Sequence, residues 1–195
     1  MSTIYLRREK GEKSLSQSLI RGLMKSRTIL ISQPIIPELT ERVLAQLLLL
    51  EQEDANSPIK AFINSPGGSA DDGFAIFDML RFVSCPIKTI SSGLTASAAT
   101  IILLAASREN RLALPNSRIM IHQPSAGVQG SASDIKITAE QILKLRDRAN
   151  RLIAEETGQT LSKVEEDTNR DYWLSPTEAL EYGLIGRIVM SHKEI

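Results

Sequence analysis

The sequence predicts one α/β domain, and three observations support this fold class. Short runs rich in β-branched residues alternate along the chain with stretches of helical periodicity. The chain has 195 residues, of which 42% are hydrophobic, which suits one compact domain with a buried core. Two glycine-containing turns each separate an extended run from a helical one, so we expect a repeated strand–turn–helix unit.

Composition excludes several classes of partner and cofactor. Lys plus Arg and Asp plus Glu both number 23, so no net charge attracts nucleic acid or an anionic membrane. Cys85 is the only cysteine and His122 and His192 are the only histidines, so neither an internal disulfide nor a Cys/His zinc cluster can form. Residues 1–14 lack the apolar run of a signal peptide, and the longest apolar stretch, residues 96–106, is shorter than the roughly 20 residues that cross a bilayer. We expect a cytoplasmic protein that needs no metal or organic cofactor.

The first strand–turn–helix unit lies in the first half of the chain. Pro37 stands where a first-turn proline opens a helix, which we expect to continue to Leu50. The strand at residues 60–63 runs into a turn at residues 65–69, and the apolar spacing beyond it predicts a helix packed on the sheet. A helix at residues 14–25 and a strand at residues 27–32 precede this unit.

The second unit repeats the first in outline. Residues 87–91 are predicted to be extended, Gly93 to break the strand, and residues 95–106 to form a helix with Ser97 in its first turn. In a parallel sheet both turns would face the same edge. Two short strands then follow at residues 111–114 and 118–122.

The second half of the chain is dominated by one long helix. Apolar residues spaced by three or four predict it over residues 134–156, with Gly158 as its stop. At 1.5 Å per residue it would reach roughly 35 Å, longer than the domain needs for its own core. We therefore expect it to project towards a partner. A last short helix is predicted between a capping box at residues 175–178 and Gly183, followed by a strand at residues 187–190.

Nucleophilic catalysis by serine requires a nearby base, usually histidine. His192 lies in the charged C-terminal tail, whereas His122 follows an apolar strand and precedes Pro124, so His122 is the candidate base. Ser97 lies among small residues that leave room for a substrate. A satisfied structural histidine and tight helix packing are the alternative explanations of these two residues.

The glycine turn and a carboxylate complete the candidate site. Gly67 and Gly68 allow backbone N–H groups to point into a cleft, as stabilisation of an oxyanion requires, although an ordinary tight turn has the same composition. Asp171 and Asp167 are both candidates for the carboxylate that would orient the imidazole. The turn matches neither nucleotide-binding glycine pattern.

Five short motifs together resemble the proteolytic subunit of Clp protease, and the agreement spans nearly the whole chain. They are INSPGGS at 63–69, Ala-Ser at 96–97, ALPNS at 113–117, IMIHQP at 119–124 and RDYW at 170–173. The resemblance implies that Ser97 is the nucleophile, His122 the general base and Asp171 the orienting carboxylate. It also implies that the N–H groups of Gly68 and Ala98 form the oxyanion hole.

The resemblance further implies an architecture and a set of partners. The fold would be crotonase-like, with a flexible N-terminal segment at residues 1–14 that lines the axial pore or is trimmed, and one peptidase domain at residues 15–195. Two stacked seven-membered rings would enclose the active sites, joined by the long helix at residues 134–156 as a handle. A partner AAA+ ATPase would unfold proteins and feed the unfolded polypeptides into the chamber, where they are cut into short peptides.

Two departures from the family pattern concern the site and the docking surface. The usual Ala-Ser-Met-Gly-Ala around the nucleophile is Ala-Ser-Ala-Ala-Thr at residues 96–100, which changes the shape of the adjoining specificity pocket. Lys60 replaces an aromatic residue that many members use to dock the ATPase, while Phe62 and Phe82 keep aromatic character there. We expect altered docking.

A third departure concerns contact between the rings. An acidic residue usually precedes Arg170 and pairs with the arginine across the ring interface, whereas this chain has Asn169. The three departures suggest a paralogue that works in a mixed ring with a second proteolytic subunit. The sequence leaves two alternative functions: a non-catalytic or conditionally active structural subunit of such a ring, and a coenzyme A-dependent hydratase or isomerase of the same fold.

Overall fold

Strands and helices alternate along the chain, as the sequence predicts. The computed structural model describes residues 18–125 and 127–195. The strands of this part are β1 Thr28–Ile31, β2 Ile59–Ser65, β3 Ile87–Ala96, β4 Arg111–Ala113, β5 Arg118–Ile121, β6 Tyr172–Leu174 and β7 Arg187–Ile188. The helices are α1, described over residues 18–25, α2 Pro37–Glu53, α3 Ala70–Phe82, α4 Ala98–Leu103, α5 Ala132–Thr157, α6 Leu161–Asp167 and α7 Pro176–Tyr182. The expected N-terminal segment at residues 1–14 lies outside the described residues.

The strands form one sheet in which most neighbours are parallel. Its order is β1-β2-β3-β4-β7, while β5 pairs with the far end of β3, and β6 pairs antiparallel with β5. Because parallel strands joined by helices end at the same edge, the turns after β2 and β3 lie side by side. That edge carries the glycine turn and Ser97.

Gly93 does not end the strand, contrary to the prediction that the strand stops at Ser91. The strand β3 continues to Ala96, and Gly93 has φ +107° at a point where the register with β2 shifts. The N–H of Leu94 donates to the Asn64 side chain at 2.9 Å. This β-bulge turns the second half of β3 away from β4 and towards β5.

Apolar side chains fill both faces of the sheet. The larger cluster joins β1, β2, β5 and helices α2, α3 and α4, with fully buried residues such as Ile29, Leu47 and Ile63. The smaller cluster on the other face contains Ile90 and Leu112. Burial of both faces is typical of parallel sheets and rigidly fixes the strand ends that carry the site.

The long helix α5 is anchored only at its C-terminal half. It begins with a capping box between Ser131 and Asp134 and ends at Gly158, which has the left-handed φ of +78° that the predicted stop requires. Its buried residues run from Ala149 to Thr157, and the first half is largely exposed. The helix therefore projects from the domain, as its predicted length suggests. No helix in the described ranges is long and apolar enough to cross a membrane.

Two elements have no counterpart in the sequence prediction. Helix α6 has seven residues and strand β6 has three, which is too short for periodicity to be recognised. Strand β6 pairs with β5 from Ile121 to Ile119, and the guanidinium carbon of Arg118 lies 4.3 Å from the ring centroid of Trp173. This pairing places the residue before β6 beside the residue after β5.

Candidate active site

Ser97 occupies a sharp turn between β3 and α4. The prediction started the helix at Thr95, but residues 95 and 96 belong to β3 because they pair with β5, and α4 begins only at Ala98. Ser97 has φ +59° and ψ −126°, a conformation that costs roughly 1–3 kcal/mol for a residue with a side chain. The turn presents the hydroxyl outside the sheet edge.

His122 follows directly after β5, the strand that pairs with the end of β3. Its Nε2 lies 2.8 Å from the Ser97 Oγ, within reach for transfer of the hydroxyl proton. The side chain of His122 is 24% exposed, so it borders a cleft rather than the core. The geometry therefore favours a base over a structural histidine.

Asp171 precedes β6, whose antiparallel pairing with β5 brings it beside His122. Its Oδ1 lies 2.9 Å from Nδ1 of His122. Asp167, the other candidate carboxylate, instead accepts hydrogen bonds from Lys163 Nζ at 2.9 Å and Tyr182 Oη at 2.8 Å. Burial, together with the hydrogen bond to Asp167, raises the pKa of Tyr182. Of the two candidates, only Asp171 contacts the imidazole.

The glycine turn after β2 packs directly against the nucleophile. A Cβ on Gly67 would lie 2.7 Å from the Ser97 Cβ, and a Cβ on Gly68 would lie 2.3 Å from the Ile35 carbonyl oxygen. Gly68 also forms a parallel bridge with Ile35, whose carbonyl accepts the N–H of Ser69 at 2.9 Å. These positions admit only glycine, because the backbone of the turn approaches two other segments closely.

The N–H groups of Gly68 and Ala98 are the expected oxyanion donors. Ala98 is the first residue of α4, so its N–H has no intrahelical carbonyl to bind. Neither group donates a hydrogen bond within the described residues. Both residues line the same cleft as Ser97 and His122, which leaves their N–H groups available to a bound carbonyl.

The cleft has a volume of about 320 Å³ and one strongly apolar wall. Phe74 and Ile101 form that wall together with residues from the C-terminal half of α5, including Leu145 and Ile153. The small side chain of Ala98 leaves this space open beside Ser97. Such a pocket can accept an apolar side chain next to the bond that Ser97 attacks.

A residue that sequence reasoning missed joins the two loops of the site. Gln123 donates its N–H to the Thr168 carbonyl at 2.6 Å and its side-chain amide to the Asn169 carbonyl at 2.8 Å. These hydrogen bonds connect the loop that follows β5, which carries His122, to the loop that precedes β6, which carries Asp171. Gln123 belongs to the IMIHQP motif at residues 119–124, but nothing in that motif indicated which groups its side chain binds.

The residues expected at interfaces are all surface residues or lie near the surface. Arg170 is exposed, and Asn169 accepts a hydrogen bond from Gln123 at 3.3 Å through its side chain. Lys60 and Phe62 are half-buried neighbours on one side of β2, and Phe82 is 76% exposed at the end of α3.

Comparisons with known proteins agree on one family. Residues 9–192 match the family model described as Clp protease. The chain is 48% identical over 187 residues, 96% of this chain and 94% of the relative, to the ATP-dependent Clp protease proteolytic subunit 2 of Treponema denticola. It is 46% identical to subunit 3 of Rhizobium etli, over 94% of each chain. An asparagine-to-aspartate mutant of ClpP1 from Listeria monocytogenes has a similar structure, with a TM-score of 0.83 and 45% identity over 90% of this chain and 98% of that chain.

Proposed function

The chain belongs to the Clp protease family, and we propose that Ser97, His122 and Asp171 form its catalytic triad. Family membership makes it a serine peptidase and decides against the coenzyme A-dependent alternative. The observation that carries the residue assignment is the unbroken series of contacts from Ser97 Oγ to His122 Nε2 at 2.8 Å and from His122 Nδ1 to Asp171 at 2.9 Å.

The geometry supports a two-step acyl transfer. Ser97 Oγ attacks the peptide carbonyl while its proton passes to His122 Nε2, and the carbonyl oxygen becomes an oxyanion held by the N–H groups of Gly68 and Ala98. His122 then protonates the leaving amine, and the C–N bond breaks. Water, deprotonated by His122, then attacks the acyl carbonyl carbon. The bond between that carbon and Ser97 Oγ breaks, His122 returns the proton to Oγ, and the peptide acid is released. Asp171 holds the imidazole tautomer that keeps Nε2 free to accept the proton.

The family works as an oligomeric proteolytic chamber together with Clp ATPases, and we place this chain in that setting. We propose two stacked heptameric rings, an AAA+ unfoldase as the source of unfolded polypeptide, and a cytoplasmic location. The projecting helix α5 supports the role of a handle between rings. Asn169 and Lys60, where the family has other residues, support a ring that includes a second proteolytic subunit.

A fluorophosphonate probe tests the triad directly, because it reacts only with an activated serine. We expect the assembled protein to be labelled, alone or after mixing with a second subunit, and Ser97→Ala to abolish labelling. Ser125→Ala is the matched control, because Ser125 lines the same cleft but has no histidine partner among the described residues. Failure of the assembled rings to label would instead identify a non-catalytic structural subunit.

A further inference from the structure

Thr100 is a buried hydroxyl residue close to the nucleophile with no assigned role. Its side chain lines the cleft on α4, yet the residue is only 1% exposed. Thr100 Oγ1 lies 2.9 Å from the Met120 carbonyl oxygen and 3.1 Å from the Thr95 carbonyl oxygen. One hydroxyl proton is therefore shared between two strands, β5 and β3.

The Met120 carbonyl is also the partner of the nucleophile. The N–H of Ser97 donates to the same oxygen at 2.9 Å, and the N–H of Thr100 donates to the Ser97 carbonyl at 2.9 Å. Thr100 thus contacts Ser97 in two ways. Its N–H binds the Ser97 carbonyl directly, and its hydroxyl binds the Met120 carbonyl that also accepts the Ser97 N–H. Met120 lies two residues before His122 on β5, so the same carbonyl lies on the strand that carries the base.

In this chain, these hydrogen bonds hold Ser97 in an uncommon backbone conformation. At φ +59° it would relax towards a more common geometry unless surrounding bonds fix it. A small rotation of the turn would lengthen the 2.8 Å contact between Ser97 Oγ and His122 Nε2, and misplacement of about 1 Å can cost on the order of 10²-fold in rate.

We infer that Thr100 is a positioning residue that fixes the turn of Ser97 against the strand of His122 through the Met120 carbonyl. The inference rests on the proposed function of Ser97 and deepens it. Thr100 does not touch the substrate carbonyl or the transferred proton in this mechanism. The family pattern has alanine at this position, so the role is specific to this chain, and it belongs to the hydroxyl of Thr100 rather than to the size of its side chain.

The test uses three variants of the assembled protein. Thr100→Val keeps the shape and removes the hydroxyl, and Thr100→Ser keeps the hydroxyl. Thr89→Val is the matched control, because Thr89 is equally buried and its Oγ1 donates to the Leu103 carbonyl at 2.8 Å, at the other end of the same helix α4. Thr100→Val should still fold, since the Met120 carbonyl keeps the Ser97 N–H as a donor.

We expect Thr100→Val to lower both kcat for a fluorogenic peptide and the rate of fluorophosphonate labelling about tenfold, with KM within about twofold, because a buried hydrogen bond is lost. Thr100→Ser should restore both rates to within about threefold of the unmodified protein. Thr89→Val should keep both rates unchanged. Its melting temperature should fall by about as much as that of Thr100→Val, because each variant loses one buried hydrogen bond.

Three outcomes would overturn the inference: an unchanged labelling rate in Thr100→Val, an equal loss in Thr89→Val, or a rise in KM at constant kcat. The proposed function fails separately, by absence of Ser97 labelling in the unmodified protein. The two failures are therefore distinguishable in one experiment.

Discussion

At the scale of single residues, the members of the proposed triad differ in their access to water. In the single subunit, the side chain of His122 is 24% exposed and that of Asp171 is 60% exposed. A carboxylate so open to solvent orients the imidazole through one hydrogen bond, and water can partly replace it. The contribution of Asp171 to catalysis should therefore be smaller than that of a buried carboxylate.

Asp171→Asn tests this residue. We expect kcat to fall on the order of 10²-fold, less than the roughly 10⁴-fold known for a buried triad carboxylate, because the amide favours the wrong tautomer while solvent offsets part of the loss. Steady-state hydrolysis of a fluorogenic peptide measures it. Asp167→Asn is the control, since Asp167 contacts Lys163 and Tyr182 instead of His122. Equal losses in the two variants would contradict the assignment.

Gly68→Ala should affect both folding and activity. A Cβ there would lie 2.3 Å from the Ile35 carbonyl oxygen at φ +151°, so the turn must move away and carry its N–H group with it. We expect unfolding free energy to fall by about 1–3 kcal/mol and peptide hydrolysis to fall at least tenfold.

Gly158→Ala provides the comparison for this glycine. Gly158 also has a positive φ, of +78°, but a Cβ there meets no atom within 4 Å. It should lose about 1 kcal/mol of stability in chemical denaturation and keep its hydrolysis rate. Full activity in Gly68→Ala would show that the turn does not supply an oxyanion donor.

The sequence predicted the site residues to different degrees. His122 follows by elimination, because the other histidine lies in the charged tail, whereas Ser97 and Asp171 depended on the family resemblance. Without the resemblance, the residues alone do not distinguish Asp171 from Asp167, because β6, which places Asp171 beside His122, is too short to predict. The positive φ of Ser97 arises from strand pairing between β3 and β5, and no local sequence signal encodes it.

At the scale of elements, a buried cluster of charged residues anchors the C-terminal end of α5. Arg111 is only 1% exposed, and its guanidinium group forms an ion pair with the Glu156 carboxylate. The same group also donates to the backbone carbonyls of Glu156, at 2.8 Å, and Ala106, at 2.7 Å. Arg81 binds the same carboxylate from α3. Burial lowers the pKa of Arg111, and the charge of Glu156 opposes this effect. The cluster joins the C-terminal end of α5 to the start of β4 and to the segment that follows α4.

Glu156→Gln should weaken the contact between the C-terminal end of α5 and Arg111. We expect the free energy of unfolding to fall by about 3 kcal/mol, because the buried Arg111 loses its counter-charge. Asp147→Asn removes an exposed ion pair with Arg151 on the same helix and should change stability by less than about 1 kcal/mol. Denaturant titration followed by circular dichroism measures both. A loss in Glu156→Gln no larger than in Asp147→Asn would mean that the cluster does not stabilise the C-terminal end of α5.

Long elements were predictable from the sequence and irregular ones were not. The periodicity of α5 and the glycine at its end fixed its position to within two residues. The bulge at Gly93 was wrongly predicted as a strand end, because glycine in an extended run has the same local signal in both cases. Only the neighbouring strand β5 decides between them.

At the scale of the whole molecule, the exposed half of α5 carries apolar side chains that the domain does not bury. Ile137 is 58% exposed and Leu143 is 59% exposed. If rings stack through this helix, these side chains become buried at the contact. Because about 40% of each side chain is already covered, each would then contribute roughly 1–2 kcal/mol to association.

If the proposed double ring forms through α5, the double variant Ile137→Asp/Leu143→Asp should separate its two rings without unfolding the subunit. We expect the dissociation constant between rings to rise at least tenfold, with an unchanged melting temperature of the single ring. Sedimentation velocity distinguishes double from single rings. Lys136→Asp is the control for added negative charge on the same exposed stretch. Stable double rings in the double variant would exclude these side chains from the contact.

Trp173 is the only tryptophan of the sequence and lies on β6, two residues beyond Asp171. It is 43% exposed and stacks against Arg118 of β5, the strand that leads to His122. A guanidinium group against an indole ring alters its emission, so separation of β6 from β5 changes the fluorescence of this one residue. The chain therefore contains its own optical reporter for strand pairing beside the triad, and it needs no added label.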